Sequence, residues 1–416
     1  MTNGESLVDR GELVTMLKRA CELEHALCCQ YLYAAFSLKD GSEPGLTPSE
    51  VTLAAHWNQQ ITKIAAQEMY HLMLACNLLT AIGEQPNLNR ENFPQPAKHY
   101  SDIALPSMLA SFDAGTVYRF MCWEKPEEHG WWDERCQACA QAVNESLGLP
   151  MLTAAEAPYS TIGELYGLID AALQENPDWI DPAQAGRQVT TDLVPFSPPV
   201  AAITTYADAH EHIEEIVREG EGTGQHFTQA HFAFFHQISD ELKNGPQFVA
   251  GWPTVDNPAY DPALAAAGAT LIADPTAAAV GLLFNDAYLL LLQTLSRLFL
   301  VSGESDEQRQ TLANAAMAFM PLVVKPLGKL LTRTPAGSEH PGLYAGPSFE
   351  LPQPIALATG DAPAAWGSLY DDMARLTSRA RVLTVQLSWS VPDLELVASH
   401  LETILPLFEL TPAGVR

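Results

Sequence analysis

Two stretches of this chain decide its fold: RACELEHALCCQYLYAAF at residues 19–36 and ITKIAAQEMYHLMLACNLL at residues 61–79. In the second stretch, residues at steps of three and four form one apolar helical face, and Glu68 and His71 lie within it. A buried carboxylate is costly unless it is paired or binds a metal. Glu68 and His71 form Glu-x-x-His, the spacing that directs both side chains toward a dimetal centre inside a helix bundle. We therefore predict that both bind metal, since the apolar face disfavours the alternative of an exposed pair.

The first stretch also carries an acid on an apolar face. Cys21, Glu24, Cys28 and Tyr31 follow one another at steps of three and four. We predict that Glu24 binds the same metal centre. The alternative is an acid at the edge of the core, paired with Lys or Arg.

Spacing defines the remaining candidate ligands less well. Glu164 follows Thr161 by three residues, so it is either a ligand or the acid of a capping box at a helix start. His231 lies on an apolar face with Thr228, not Glu, three residues before it, so it is either a ligand or a buried core histidine. The carboxylate missing from this fourth helix has four candidates: Glu214, Glu215, Glu219 and Glu221.

Four further side chains lie near the proposed ligands in sequence. His25 lies about 100° around the helix from Glu24, where it would support a ligand instead of binding the metal. The other three are tyrosines that could donate hydrogen bonds to ligands or carry a radical, with packing as the simpler role: Tyr31, Tyr70 and Tyr166.

Composition favours a soluble cytoplasmic protein. The chain has 416 residues, of which 47% are hydrophobic, and its net charge of -28 argues against nucleic acid or an anionic membrane as a partner. The start of the chain lacks the pattern of a signal peptide. The most apolar stretch, residues 277–301, contains Asp286 and Arg297, which favours a buried helix over a membrane span. The seven cysteines are expected to be reduced thiols, and Cys136-x-x-Cys139 alone is weak support for zinc.

Helical patterns dominate the chain, so we predict an all-α fold. Long helices are expected at residues 8–38 and 50–82, and a surface excursion with short helices at 84–158. Residues 1–250 are predicted to form a four-helix bundle that binds metal, and residues 251–416 a helical C-terminal region packed on it.

Several segments together resemble a known family. They are CELEHALCCQYLYAAFSLK, QEMYHLMLACNLLTAIGEQPNL, RFMCWEKPEE, STIGELYGLI, REGEG, HFAFF, FNDAYLLLLQTL and AGPSFE, in this order. They resemble the ferritin-like family that includes iminophenyl-pyruvate dimer synthase and the corresponding part of the violacein-pathway enzyme. The resemblance covers about residues 8–350 and implies a ferritin-like bundle with a metal site. It supports as ligands Glu24, Glu68, His71, Glu164, Glu221 and His231.

The function expected from these features is that of a non-haem di-iron oxidase or oxygenase acting on a small amino-acid-derived substrate, with secondary metabolism as the expected setting. Two iron ions are the expected cofactor, and manganese accepts the same ligands. The substrate and O₂ are the expected partners, with a homo-oligomer as a further option. The alternatives are an iron-binding ferroxidase or a ferritin-like binding protein with a degenerate site. The sequence leaves a haem role open, although it contains no Cys-x-x-Cys-His motif.

Overall fold

The fold is mostly helical, as predicted. The computed structural model describes residues 8–41, 45–98, 104–125, 133–149, 159, 161–220, 230–300, 303–352, 354–355, 362–387 and 391–409. Within these residues the helices are α1 (Arg10–Ser37), α2 (Pro48–Ala81), α3 (Ala114–Trp123), α4 (Asp133–Leu147), α5 (Ile162–Glu175), α6 (Tyr206–Gly220), α7 (His231–Asn244), α8 (Pro275–Phe299), α9 (Asp306–Phe319), α10 (Lys325–Leu331), α11 (Ala362–Gln386) and α12 (Val391–Ile404). Two short parallel strands, β1 (Pro258–Ala259) and β2 (Thr270–Leu271), pair with Pro258 opposite Thr270.

The long helices α1 and α2 form the centre of the bundle. Both begin with a capping box, in which the side chain of Asp9 pairs with Glu12 and that of Thr47 with Glu50. Their apolar faces pack against each other more extensively than any other pair of helices in the described chain. Helix α2 then ends near Gly83, which has a positive φ of 81° that suits glycine.

The other bundle helices cover this central pair from two sides. Helix α5 packs on α1, α6 packs on α2, and α5 and α6 also contact each other. Helix α7 contacts α2 and α6, and it packs mainly against α3. The prediction that residues 84–158 lie on the surface is therefore wrong for α3. This helix packs into the bundle with Val117 and Phe120 buried.

The C-terminal helices α8 to α12 pack on one another and reach α1 through α10. The contact is close, since a Cβ atom added at Gly328 would lie 2.4 Å from Cδ2 of Phe36. A Cβ atom at Gly346 would likewise lie 2.2 Å from the hydroxyl oxygen of Tyr33. One continuous hydrophobic core includes residues before and after position 250, and the division at that position stays a prediction.

Two segments have the length and composition of membrane spans, Pro275–Phe299 and Asp306–Leu331. In their most apolar windows, 61% and 50% of the residues are buried inside the fold. Core helices pass the same test of length and composition, so this finding is weak support for a membrane span.

Candidate metal centre

The first group of candidate ligands joins α1 to α2. Glu24, Glu68 and His71 are almost fully buried, with exposed fractions of 3%, 1% and 1%. Nδ1 of His71 lies 3.7 Å from Oε2 of Glu24 and 3.4 Å from Oε2 of Glu68. One ligand atom from each of the three residues lies within 4.8 Å of the others, which is close enough to hold one metal ion.

A second group shares Glu68 with the first. It adds Glu124, which ends α3, and His231, which begins α7. Nδ1 of His231 lies 2.8 Å from Oε1 of Glu68 and 3.6 Å from Oε1 of Glu124. Because the two oxygens of Glu68 face different histidines, this carboxylate is placed to bridge two cations.

The chemistry of these side chains fits a pair of metal ions. Three buried carboxylates and two imidazoles form the mixed oxygen and nitrogen set that iron and manganese accept. Nε2 of His231 is buried and makes no hydrogen bond to any described residue, whereas its Nδ1 faces Oε1 of Glu68. Buried polar atoms of this kind are costly unless something satisfies them. Metal ions at the two groups would do so.

Three outer residues hold the candidate ligands in place. The hydroxyl of Tyr166, on α5, donates a hydrogen bond of 2.5 Å to Oε1 of Glu24. The hydroxyl of Tyr31 donates to Oε1 of Glu124. Nε2 of His71 lies 3.1 Å from Oε2 of Glu219. When Nε2 donates its proton to this carboxylate, the lone pair of Nδ1 faces the centre, as metal binding requires.

The acids shift the pKa values of the two histidines. Burial by itself lowers the pKa of His231, but Glu68 and Glu124 outweigh it and raise the pKa to about 9. Burial also opposes the charged form of His71, whereas Glu219, Glu24 and Glu68 raise its pKa well above the usual value. The acids therefore favour the protonated form of both imidazoles before metal binds, and a metal ion has to displace those protons.

Burial and charge act differently on the two central carboxyls. Burial, and then the neighbouring charge of Glu68, raise the pKa of Glu24 to about 7, against the opposing effect of His71. Burial also acts to raise the pKa of Glu68, but the adjacent His231 outweighs it and the pKa is lowered. Glu68 is thus the carboxylate that stays ionised between the two imidazoles.

The structure places Glu164 outside this centre. Its side chain is exposed, and its backbone nitrogen donates a hydrogen bond of 3.0 Å to Oγ1 of Thr161 at the start of α5. This position gives no support to its predicted role as a ligand, which stays a prediction, and Thr161 caps the helix through the backbone of Glu164. Tyr166, two positions later on α5, does reach the centre and hydrogen-bonds to Glu24.

His25 and Tyr70 also do not touch a candidate ligand carboxylate through any described hydrogen bond. Nε2 of His25 lies 2.6 Å from the hydroxyl of Tyr288 on α8, so this imidazole faces the C-terminal helices. The ring of Tyr70 lies 6.1 Å from that of His71, centroid to centroid. Burial, together with Glu215 and Glu219, raises the pKa of the Tyr70 phenol to about 12.

The structure describes three of the four acids predicted as the carboxylate ligand of the fourth helix. Glu221 lies outside the described residues. Glu219 contacts His71 from the side opposite the centre, as described above. Glu215 pairs with Arg218, and Glu214 lies 3.3 Å from Nε2 of His210 on the surface of α6.

Glu124 is the candidate ligand that spacing did not find. It ends α3 instead of lying in a helical stripe, so no step of three or four marks it. Its segment, RFMCWEKPEE, was one of those that carried the family resemblance. The signal in the sequence that could have identified Glu124 is an acid directly after the apolar residues of α3.

The prediction that all cysteines are free thiols is wrong for one pair. Cys122, in α3, forms a disulfide with Cys136, in α4. This bond also removes Cys136 from the zinc motif considered for Cys136-x-x-Cys139. Cys122 is two residues before Glu124, so the disulfide ties down the end of the helix that presents this candidate ligand.

A small cavity adjoins the centre. Its volume is about 20 Å³, and its walls include Glu24, Glu68, Glu124 and Tyr166. That volume holds about one water-sized molecule. Among the described residues, the space beside the carboxylates is thus about the size of one water molecule.

With this fold and cluster, the chain belongs to the Ferritin-like family, whose model matches residues 17–240. Among curated proteins it is similar to dichlorochromopyrrolate synthase of Lentzea aerocolonigenes, with 27% identity over 85% of this chain and 37% of that protein. It is also similar to 2-imino-3-(indol-3-yl)propanoate dimerase of Chromobacterium violaceum, with 25% identity over 85% of this chain and 35% of that protein. The chain thus spans little more than a third of the length of these relatives.

A ferritin-like protein from Caulobacter vibrioides is a structural neighbour, with a TM-score of 0.49 and 21% identity over 74% of this chain and 95% of that chain. The family resemblance stated from the sequence is confirmed by the family match and by the two curated relatives. The chain is a ferritin-like protein distantly related to enzymes, with buried clusters of Glu and His that are able to bind metal.

Proposed function

We propose that this protein is a non-haem di-iron oxidase or oxygenase that acts on a small amino-acid-derived substrate. The observation that carries the proposal is the shared carboxylate of Glu68, which belongs to two buried groups of candidate ligands at once. Ferritin-like bundles use such bridging carboxylates to hold two metal ions. The choice of iron over manganese is part of the proposal, because the ligands suit both.

The names of the two curated relatives support the substrate class. One is a synthase, and the other is a dimerase of 2-imino-3-(indol-3-yl)propanoate, which has the carbon skeleton of tryptophan. An oxidised amino acid is therefore the class of molecule proposed for this chain. The complete reaction of either relative is not transferred, since each is much longer than this chain.

The residues of the centre have separate parts in the proposed reaction. Iron bound by the two groups would supply O₂-dependent oxidation chemistry. Tyr166 and Tyr31 fix the orientation of the carboxylates of Glu24 and Glu124, and Glu219 fixes the tautomer of His71. Ile162 and Ile216 line the small cavity at the centre and limit the water that enters it.

The test begins with metal-free protein loaded with Fe(II) under anaerobic conditions. We expect two irons per chain, and we expect Glu68→Ala to lose both. The loaded protein is then given O₂ with the imine made in place from L-tryptophan by an L-amino-acid oxidase, and products are measured by mass spectrometry. A product that requires both iron and this chain supports the proposal.

Three outcomes would contradict the proposal. One tightly held zinc ion that survives Glu68→Ala would refute the dimetal centre. Oxidation of Fe(II) by O₂ without any change in the organic substrate would favour a ferroxidase. Failure to hold metal at all would favour a binding protein with a degenerate site. Cytoplasmic localisation, the absence of nucleic-acid and membrane partners, and a homo-oligomer stay predictions.

A further inference from the structure

We propose that a second cavity, separated from the metal centre by the side chain of Leu23, binds one amino-acid-like zwitterion through Arg19 and Glu22. The cavity has a volume of about 230 Å³. This lies just below the roughly 300–1,000 Å³ of pockets for drug-sized ligands, so it suits a single small molecule. Binding of this molecule is inferred from the cavity alone, and only its role as the substrate rests on the proposed function.

Arg19 provides the group that would bind a carboxylate. It lies on α1 and lines the cavity, and its Nη1 donates a hydrogen bond of 2.9 Å to the hydroxyl of Tyr159. The guanidinium has five N–H donors, and this bond uses one of them. Its carbon lies 5.6 Å from the centre of the Tyr159 ring, so this residue holds the guanidinium in position through its hydroxyl.

Among the described residues, the charges that line the cavity balance. Lys98 forms an ion pair with Glu91 at 2.5 Å, which leaves Arg19 and Glu22 as the second cation and the second anion. The side chain of Glu22 is half-buried in the wall, and its Oε1 accepts a hydrogen bond of 3.3 Å from Nδ2 of Asn87. A cationic nitrogen beside this carboxyl would relieve its cost of burial. A cavity with two cations and two anions favours a zwitterion over a simple anion.

The apolar part of the wall faces the metal centre. Leu23 lines both this cavity and the small cavity at the centre. Its exposed fraction is 7%, and the next residue is the candidate ligand Glu24. Trp123, another wall residue, directly precedes Glu124. The geometry thus places the side chain of a bound amino acid against Leu23 and Trp123. Each of these residues directly precedes a candidate ligand in the sequence.

The test measures binding to the metal-free protein by calorimetry, so that it does not depend on the proposed function. The probes are L-phenylalanine, 3-phenylpropanoate, which lacks the amine, and 2-phenylethylamine, which lacks the carboxylate. We expect L-phenylalanine to bind at least tenfold more tightly than either of the others, because each loses one charge-assisted contact.

Two variants test the location of the site. Arg19→Gln should raise the Kd for L-phenylalanine at least tenfold, and Ala26→Leu should abolish binding by filling the cavity while leaving its charges unchanged. Lys18→Gln is the matched control, since Lys18 is an exposed cation on the same helix outside the cavity wall. Near-ultraviolet circular dichroism checks that each variant keeps its fold.

Proximity to the centre is measured on protein loaded with Mn(II), with Zn(II) as the diamagnetic control. Faster proton relaxation of bound L-phenylalanine in the Mn(II) protein is expected. The proposal is overturned by equal affinities for the three probes, by no saturable binding at millimolar concentrations, or by binding that neither Arg19→Gln nor Ala26→Leu changes. If the protein binds L-phenylalanine as expected but holds no metal after loading, the proposed function alone is refuted.

Discussion

Oε1 of Glu68 lies 2.8 Å from Nδ1 of His231, and the other oxygen of the same carboxylate faces His71. One side chain therefore belongs to both candidate metal sites. We predict that Glu68→Ala reduces the bound iron from two per chain to none, because each site loses a ligand and the bridge between them disappears. Metal analysis after anaerobic loading and desalting measures the change. Retention of both irons would exclude Glu68 as a ligand.

The two unshared carboxylates should act on one site each. Glu24→Ala and Glu124→Ala are each expected to leave about one iron per chain, since the other group of ligands remains complete. Glu164→Ala is the matched control, because this exposed acid lies outside the centre, and it should retain both irons. A loss of iron in this control equal to that in Glu24→Ala would place Glu164 among the ligands after all.

The tyrosines that hydrogen-bond to these carboxylates should tune metal affinity. Removing an outer partner of a ligand typically costs about 10–100-fold in metal affinity. We therefore expect Tyr166→Phe and Tyr31→Phe each to weaken binding at one site by about this factor. Tyr70→Phe serves as the control, because Tyr70 lies beside His71 and makes no described hydrogen bond to a candidate ligand carboxylate. Competition with a chelator measures each affinity.

The stability of the metal-free protein should fall as pH rises from about 6.5 to 9. The folded-state pKa of His231, about 9, is raised above its ordinary value of 6.5, so its contribution to stability is complete below 6.5 and is lost as pH rises through 9. The raised pKa of Glu24 acts in the same direction from its ordinary value of 4.5 up to about 7, so it contributes only at the lower end of this range. Thermal unfolding at a series of pH values should show a falling Tm.

Protein loaded with metal should behave in the opposite way over this range. Metal binding requires both imidazoles to be neutral, so affinity and the stabilisation it gives increase with pH. A Tm of the metal-free protein that rises between pH 6.5 and 9 would contradict the charges assigned to His231 and Glu24.

The disulfide between Cys122 and Cys136 should contribute to stability. It closes a loop with a sequence separation of 14 residues, and a loop of this size corresponds to about 3 kcal/mol in the chain-entropy description. We expect Cys136→Ser to lower the free energy of unfolding by about this amount, measured with denaturant. Cys139→Ser is the control, because Cys139 is a free thiol three residues away. An equal loss in both variants would mean that the bond itself stabilises little.

The sequence predicted the central helices because their signals are local and periodic. Glu68 and His71 lie on one helix, so their spacing alone predicts that both side chains point the same way, whichever helices pack against them. Glu124 depends on where α3 ends and on which helix it meets, and a single stretch of sequence contains neither fact. Glu164 was ambiguous from the sequence because a capping acid and a ligand at a helix start have the same spacing.

His25 illustrates a further limit. Its neighbour Glu24 was identified from the apolar face, but His25 lies about 100° further around the helix, and its role depends on what packs there. In the structure, α8 packs against His25, although this helix lies more than 240 residues further along the chain. The hydroxyl of its Tyr288 is hydrogen-bonded to the imidazole of His25. Contacts at such a separation follow from the assembled bundle and not from the local pattern.

The close approach of Gly328 to Phe36 and of Gly346 to Tyr33 has an evolutionary consequence. Both aromatic residues lie on the helix that carries Glu24, and both contact points leave no space for a Cβ atom. Recombination that exchanged the C-terminal half for that of a distant homologue would bring larger residues against α1 unless the glycines came with it. The two halves of this chain are thus expected to be inherited together, as one unit of natural selection.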